Sequence, residues 1–103
     1  MSESKQFFVY CITNRSNAVL YIGVTNNLQR RLYEHRQTTI TSFVTRYNLS
    51  KLIYFEMYSC SYDAIQREKQ LKGWKRSRKN ELIASKNPYW VDLQETDFQF
   101  PAM

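Results

Sequence analysis

The chain has 103 residues, 43% hydrophobic and 23% charged, enough apolar material for one real core and too much to stay disordered. No apolar run approaches the ~18 residues of a membrane span, Met1–Gln6 lacks a signal peptide's apolar core, and two distant cysteines build neither a disulfide scaffold nor a cysteine zinc site. Fifteen Lys and Arg against nine Asp and Glu leave a net charge of +6, which points to a polyanionic partner without saying which.

Phe7-Phe8-Val9-Tyr10-Cys11-Ile12 is rich in aromatic and β-branched residues and is predicted as a strand. Asn14-Arg15-Ser16-Asn17 is a polar break, and Val19 to Val24 reads as a second strand, so an antiparallel hairpin is expected. A turn closed by Asn14 and Asn17 would set Tyr10 opposite Tyr21 on one face, although Arg15-Ser16 is a weak two-residue turn. Asn26-Asn27 offers an N-cap for a helix from Leu28 to Arg36, on which Leu28, Arg31, Leu32 and His35 share a face. Gln37 to Ser42 reads as loop, and Phe43, Val44 and Tyr47 as a short helix. Leu52 to Met57 is a third strand, apolar enough to be covered on both faces. Ser61 is the expected N-cap of a helix to Lys72, with Asp63 in its first turn and Gly73 at its end. A further helix over about Ser77 to Ala84 is followed by the stop at Pro88. Asn87-Pro88-Tyr89-Trp90 is expected to tuck aromatic surface onto the domain, and the tail to Met103 to be partly loose. This divides the chain into a polar tail over 1–6, one domain over 7–93 and a C-terminal tail over 94–103.

Several residues sit oddly on these elements. Glu68 lies among Ala64, Ile65, Leu71 and Trp74, the apolar stripe of its helix. A carboxylate there must be paired, protonated or metal-bound. An ion pair with an arginine, a place at the exposed edge of the stripe, and service as a ligand of a hard divalent cation all satisfy the pattern. Arg31 shares its face with Leu28 and His35, and reads either as a surface arginine with a snorkelling stem or as a bidentate phosphate ligand. His35 is the one histidine, which removes multi-histidine metal schemes; in its helix it reads as packing or a complement to the helix end. Tyr10 and Tyr21, taken alone, read as core or cross-strand pairs.

Together these residues resemble the GIY-YIG nuclease superfamily, in its short single-domain bacterial form. The resemblance rests on Tyr10, on Tyr21-Ile22-Gly23, on Asn27-Leu28 with Arg31, on Arg67 to Trp74, and on Asn87-Pro88-Tyr89-Trp90. It implies an α+β fold, a small three-stranded antiparallel sheet flanked by helices. It implies a metal-dependent endonuclease that hydrolyses phosphodiester bonds in DNA, with RNA not excluded and one Mg²⁺ or Mn²⁺ ion as cofactor. In that scheme Tyr10 matches the general-base tyrosine, Tyr21 its neighbour, Arg31 the arginine on the scissile phosphate, His35 a basic position near it, and Glu68 the metal ligand. A tyrosine of ordinary pKa about 10 needs help to act as a base near pH 7, which the metal and neighbouring cations are expected to supply. The first motif departs from the family pattern, since Phe8-Val9-Tyr10 has Phe in place of Gly and Val in place of Ile. A nucleic-acid-binding protein that kept the fold with weak or no catalysis is therefore the alternative, and a protein-interaction module using Tyr89 and Trp90 a third reading.

The charge itself is localised. Residues 65–86 hold eight Lys and Arg against Glu68 and Glu81, so this segment carries the whole excess. Arg30, Lys69, Lys72, Lys75 and Arg76 are the expected nucleic-acid contacts, although such a run also reads as a solvated helical face. A cytoplasmic place fits the free cysteines, no membrane partner is expected, and a weak homodimer or protein partner is left open.

Overall fold

A computed structural model describes residues 6–37 and 47–94. The elements in chain order are β1 (Phe7–Thr13), β2 (Leu20–Thr25), α1 (Leu28–Gln37), β3 (Lys51–Tyr58), α2 (Ser61–Lys72) and α3 (Arg76–Lys86). The short helix expected at Phe43 and Val44 and the tail beyond Gln94 lie outside the described residues, while Tyr47 stands in a turn.

The three strands form one antiparallel sheet in the order β2-β1-β3. β1 is central, which is why its sequence is apolar at every position from Phe7 to Ile12 rather than at alternate ones. Its even residues Phe8, Tyr10 and Ile12 pack with Leu28 and Leu32 of α1 and with Leu49 and Leu52. Its odd residues Val9 and Cys11 pack with Ile22 and with Ala64, Leu71 and Ile83 from α2 and α3. The sheet is thus covered by α1 on one face and by α2 and α3 on the other.

The hairpin register differs from expectation by two residues: Tyr10 faces Gly23, and Tyr21 faces Ile12. The Asn14 carboxamide accepts the backbone N–H groups of Ala18 (2.9 Å) and Val19 (3.1 Å), which lengthens the turn and pushes pairing out to Thr13 and Leu20. Asn17 takes up the left-handed backbone this requires, with φ 61°. A slip of two keeps every side chain on its face, so Tyr10 and Tyr21 still share one.

β3 is an edge strand, and only its first half is covered on both faces: Leu52, Ile53 and Tyr54 are buried, whereas Met57 is exposed. The outer edge of that first half is closed by the segment after α3, through Leu93 N–H to the Leu52 carbonyl (2.8 Å) and Asn87 Nδ2 to the Ile53 carbonyl (2.9 Å). The N-cap of α2 is Cys60 rather than Ser61, and no side chain caps it. Asp63 lies in the first turn and Gly73 ends the helix, as expected, though with an ordinary φ of −82°. The Asn87–Trp90 stretch tucks in only partly. The Asn87 amide goes inward and Trp90 is half-buried, but Tyr89 is 86% exposed. The cause is a tight turn, Trp90 N–H to the Asn87 carbonyl, which throws the intervening ring outward.

Candidate active site

The site grows from one missing side chain. Gly23 stands opposite Tyr10, and a Cβ there would lie 2.6 Å from the Tyr10 hydroxyl oxygen and 2.9 Å from Cε1 of Tyr21. The Tyr10 ring therefore occupies the space of a β2 side chain. Gly23 has no positive φ, so the requirement is for volume, not for backbone freedom.

α1 closes over this ring. Asn27 Oδ1 accepts the Arg30 N–H at 3.1 Å and starts the helix; Leu28 and Leu32 are buried against the sheet. That anchoring delivers His35, seven residues after Leu28, to Tyr10. The rings of Tyr10, Tyr21 and His35 form a near-equilateral triangle with centroids 6.2, 6.1 and 6.2 Å apart. Tyr10 Oη and His35 Nε2 are 3.0 Å apart. Arg31, about half exposed, completes the group beside the Tyr10 and Tyr21 hydroxyls and makes a loose 3.5 Å pair with Glu34. Glu34 also lies 3.8 Å from Arg30.

Burial pushes the Tyr10 hydroxyl up to about 12, against the opposing pull of the Arg31 guanidinium. The expected lowering by nearby cations is thus outweighed, because the ring is inside the core. Burial pushes His35 below its ordinary 6.5, the Arg31 charge adds to this, and Glu34 opposes it. Near neutral pH Tyr10 is protonated and His35 a neutral imidazole, so the hydroxyl donates to Nε2 in the tautomer with its ring proton on Nδ1 and accepts from Nε2 in the other. The sequence reading of His35 as packing or helix-end complement missed this contact.

Four of the five predicted catalytic positions therefore meet on the α1 face. Glu68 belongs to α2, whose Ala64 and Leu71 are buried among the residues of the other face. Its side chain is 15% exposed, and its carboxylate pairs with Lys72 Nζ at 2.9 Å, within one helix, not with an arginine. The carboxylate on this face that does pair with an arginine is Glu56, which the sequence reading passed over. It accepts from Arg67 Nε (2.9 Å) and Nη2 (3.0 Å), from the Tyr58 hydroxyl (2.6 Å) and from the Tyr54 hydroxyl. Burial raises the Glu56 carboxyl, but hydrogen bonds from Arg67, Tyr54 and Tyr58 outweigh it and hold it below its ordinary value. The signal was present in Tyr54-x-Glu56-x-Tyr58, three polar tips on one side of a strand.

Among the expected nucleic-acid contacts, Lys69 and Lys75 are exposed, Arg30 sits beside Glu34, and Lys72 pairs with Glu68. Arg76 is a strut instead. Its Nη1 and Nη2 donate to the carbonyls of Ala18 (3.0 Å) and Asn17 (2.7 Å), and its Nε to Asn80 Oδ1 (2.9 Å), tying α3 to the hairpin turn. Arg78 lies 3.9 Å from the centre of the Trp74 ring. No group of three or more His, Cys, Asp or Glu placed to hold a metal occurs among the described residues. None of their helices is long and apolar enough to cross a membrane.

Comparisons with known proteins bear on the fold and the family. The UPF0213 protein CPE1444 of Clostridium perfringens is 32% identical over 80 residues, covering 78% of this chain and 85% of its own. A UPF0213 protein of Bacillus licheniformis is 30% identical over 92 residues, covering 89% and 94%. The solution structure of the UPF0213 protein BH0048 of Bacillus halodurans shares the fold, with a TM-score of 0.55 at 18% identity over 91% of this chain and 99% of that one. A family model for the GIY-YIG catalytic domain matches residues 6–81, from β1 through the first turns of α3 and across every residue of the tyrosine–histidine cluster. That match makes the chain a member of the GIY-YIG family of nucleases.

Proposed function

We propose that the protein is a divalent-metal-dependent endonuclease that hydrolyses phosphodiester bonds in DNA, with Tyr10, Tyr21, Arg31, His35 and Glu68 as its working residues. The observation that carries this reading is the Tyr10–His35 hydrogen bond inside the Arg31 cluster. A tyrosine held near pKa 12 is a poor base by itself. Joined to a neutral histidine it becomes a relay: the attacking water gives its proton to Tyr10 Oη while the Tyr10 proton passes to His35 Nε2. Arg31, tethered only loosely to Glu34, turns to the phosphate and neutralises charge building on its oxygens. Tyr21 walls the cluster and helps to keep the Tyr10 hydroxyl in place.

Of Glu56 and Glu68, Glu56 has its oxygens filled by four donors and has no room for a cation. Glu68 has a single half-exposed lysine partner and fits a hard cation that takes few protein ligands. A cation held there would polarise a phosphate oxygen and stabilise the leaving oxygen; because Glu68 stands on the α2 face and Tyr10 and Arg31 on the α1 face, the scheme has the phosphate passing the sheet at its β2 edge. The bulk of Phe8, which raised the alternative of a binding-only protein, lies fully in the core against Phe55 at 6.1 Å and does not obstruct a surface. Cys11 and Cys60 are unbridged, which supports a reducing, cytoplasmic setting.

The test is cleavage of plasmid, branched DNA and RNA with Mg²⁺ or Mn²⁺, alongside Tyr10→Phe and Glu68→Ala, with Mn²⁺ binding measured by calorimetry. Cutting of DNA that both variants lose, with Mn²⁺ affinity lost only in Glu68→Ala, supports the reading. Undiminished cutting by Tyr10→Phe rejects the relay, and unchanged Mn²⁺ affinity in Glu68→Ala rejects the metal ligand.

A further inference from the structure

On the side of the molecule away from Tyr10, the hairpin turn, the start of α3 and the Asn87–Trp90 turn enclose a shallow cavity of about 300 Å³. Its lining is Asn17, Arg76, Asn80, Pro88, Tyr89 and Trp90. Two aromatic rings and two carboxamides in so small a space are an uncommon mixture. Tyr89 is the most exposed large hydrophobic residue in the described structure, at 86%. The Asn17 Oδ1 atom is buried and finds no hydrogen-bond partner among the described residues, a situation that costs stability and calls for a donor. Asn80 uses its own Oδ1 to accept from Arg76, so the other end of that carboxamide is a donor. The Arg76 guanidinium is held by two backbone carbonyls of the hairpin turn, 5.8 Å from the centre of the Trp90 ring, so the cavity wall is braced from both sides.

The geometry points to a site for one unstacked nucleobase of a single-stranded segment, held against Tyr89 and Trp90 and read at its edge by Asn17 and Asn80. A base is planar and apolar on its faces, and its pairing edge sets an N–H donor beside an acceptor, the complement of an orphan acceptor next to an amide donor. A base inside a duplex cannot enter, because its faces are stacked and its edge is paired. The sugar–phosphate chain on either side would meet the segment that carries the molecule's whole positive excess, with Lys75 exposed next to the cavity wall. The inference rests on the nuclease reading only in taking nucleic acid as the partner. It narrows that partner to DNA or RNA with an unpaired base near the duplex to be cut.

The experiment is fluorescence anisotropy in EDTA, so that nothing is cut, with three labelled probes: a blunt DNA duplex, the same duplex with a short single-stranded overhang, and the same overhang made of abasic residues. A matched RNA overhang distinguishes the sugar. The expected result is that the base-bearing overhang binds about 5- to 100-fold tighter than the abasic one, the range found for one stacked base. Tyr89→Ala should remove that preference while leaving blunt and abasic binding unchanged. Asn17→Gly, which keeps the left-handed backbone at that position, should reduce the preference and alter its dependence on base identity. Equal affinity for the base-bearing and abasic overhangs in the wild-type protein overturns the site, and this comparison needs no variant to fold. A preference that survives Tyr89→Ala places the base elsewhere and also overturns it. If Tyr89→Ala instead changes only self-association in sedimentation, the ring is a protein contact and the inference fails. Weak binding of every probe that does not change with salt would reject the nucleic-acid reading as a whole, a separate outcome from loss of the base preference alone.

Discussion

Each face of the sheet carries an arginine beside a carboxylate, and the two pairs are built differently. On the α2 face, Arg67 meets Glu56 at 2.9 Å with side chains 22% and 12% exposed, two tyrosine hydroxyls fill the remaining oxygens, and Gln70 Oε1 accepts from Nη1. On the α1 face, Arg31 meets Glu34 at 3.5 Å with side chains 45% and 50% exposed. The first arginine is held through all three of its nitrogens. The second stands beside the Tyr10 hydroxyl, and its carboxylate pair is exposed and worth little in free energy, so Glu34 can be given up for another anion at little cost. The saturated pair is structural; the loose one is suited to a ligand that comes and goes.

Variants test that contrast. The largest effect is expected for Tyr10→Phe, which should cut cleavage by about 10²- to 10⁴-fold while costing only about 1 kcal/mol in urea unfolding. Equal losses in the two measurements would make Tyr10 structural. Next is Arg67→Ala, expected to cost about 2–3 kcal/mol because it strands a mostly buried carboxylate, against under about 1 kcal/mol for Arg31→Ala. Similar unfolding losses for the two arginines would end the distinction between the faces.

Acid should separate the faces as well. His35 is depressed below 6.5, so it binds a proton less readily folded than unfolded, and stability falls as pH drops beneath 6.5 toward its folded value. Glu56 is depressed below 4.5, and the stability it contributes is present above 4.5 and lost as pH falls through its folded value. Melting temperature against pH should therefore show two acid windows, the upper one absent in His35→Gln and the lower one absent in Glu56→Gln. The acid limb of cleavage should have its midpoint below 6.5. A midpoint above 6.5, or one unmoved by Glu34→Gln, would contradict the charges assigned around His35. The smallest effect is on folding itself: Glu34→Gln should change stability by about 0.2–0.5 kcal/mol, as for other exposed helical pairs.

Much of the fold was legible because it is local. The aromatic run Phe7–Ile12, the Asn27 cap and the spacing of Leu28, Leu32 and His35 each specify an element within a few residues. What the sequence hid depends on partners far along the chain. The register slipped because the Asn14 side chain captured two backbone N–H groups, a choice that residue types alone do not display. The Tyr10–His35 bond joins positions 25 apart and exists only because α1 lies across β1. Arg76 looked like a phosphate ligand because its acceptors are main-chain carbonyls 58 and 59 residues away, which carry no sequence signature. Glu56 was the readable omission, since its two tyrosines flank it at alternate positions.

The contact between Gly23 and Tyr10 has a consequence for inheritance. Since Gly23 holds an ordinary backbone conformation, it is the Tyr10 ring, with the edge of Tyr21 beside it, that forbids a side chain there. The two positions behave as a single locus: Gly23→Ala alone should disturb the ring and destabilise the fold by about 1–3 kcal/mol, as overpacking does. Shortening Tyr10 to Val in the same chain should relieve that clash, so the double variant should lose less stability than the two single losses added together, in a protein that cannot cut. A relative that has lost the glycine is therefore expected to have lost the tyrosine with it, and to survive as a fold without its chemistry.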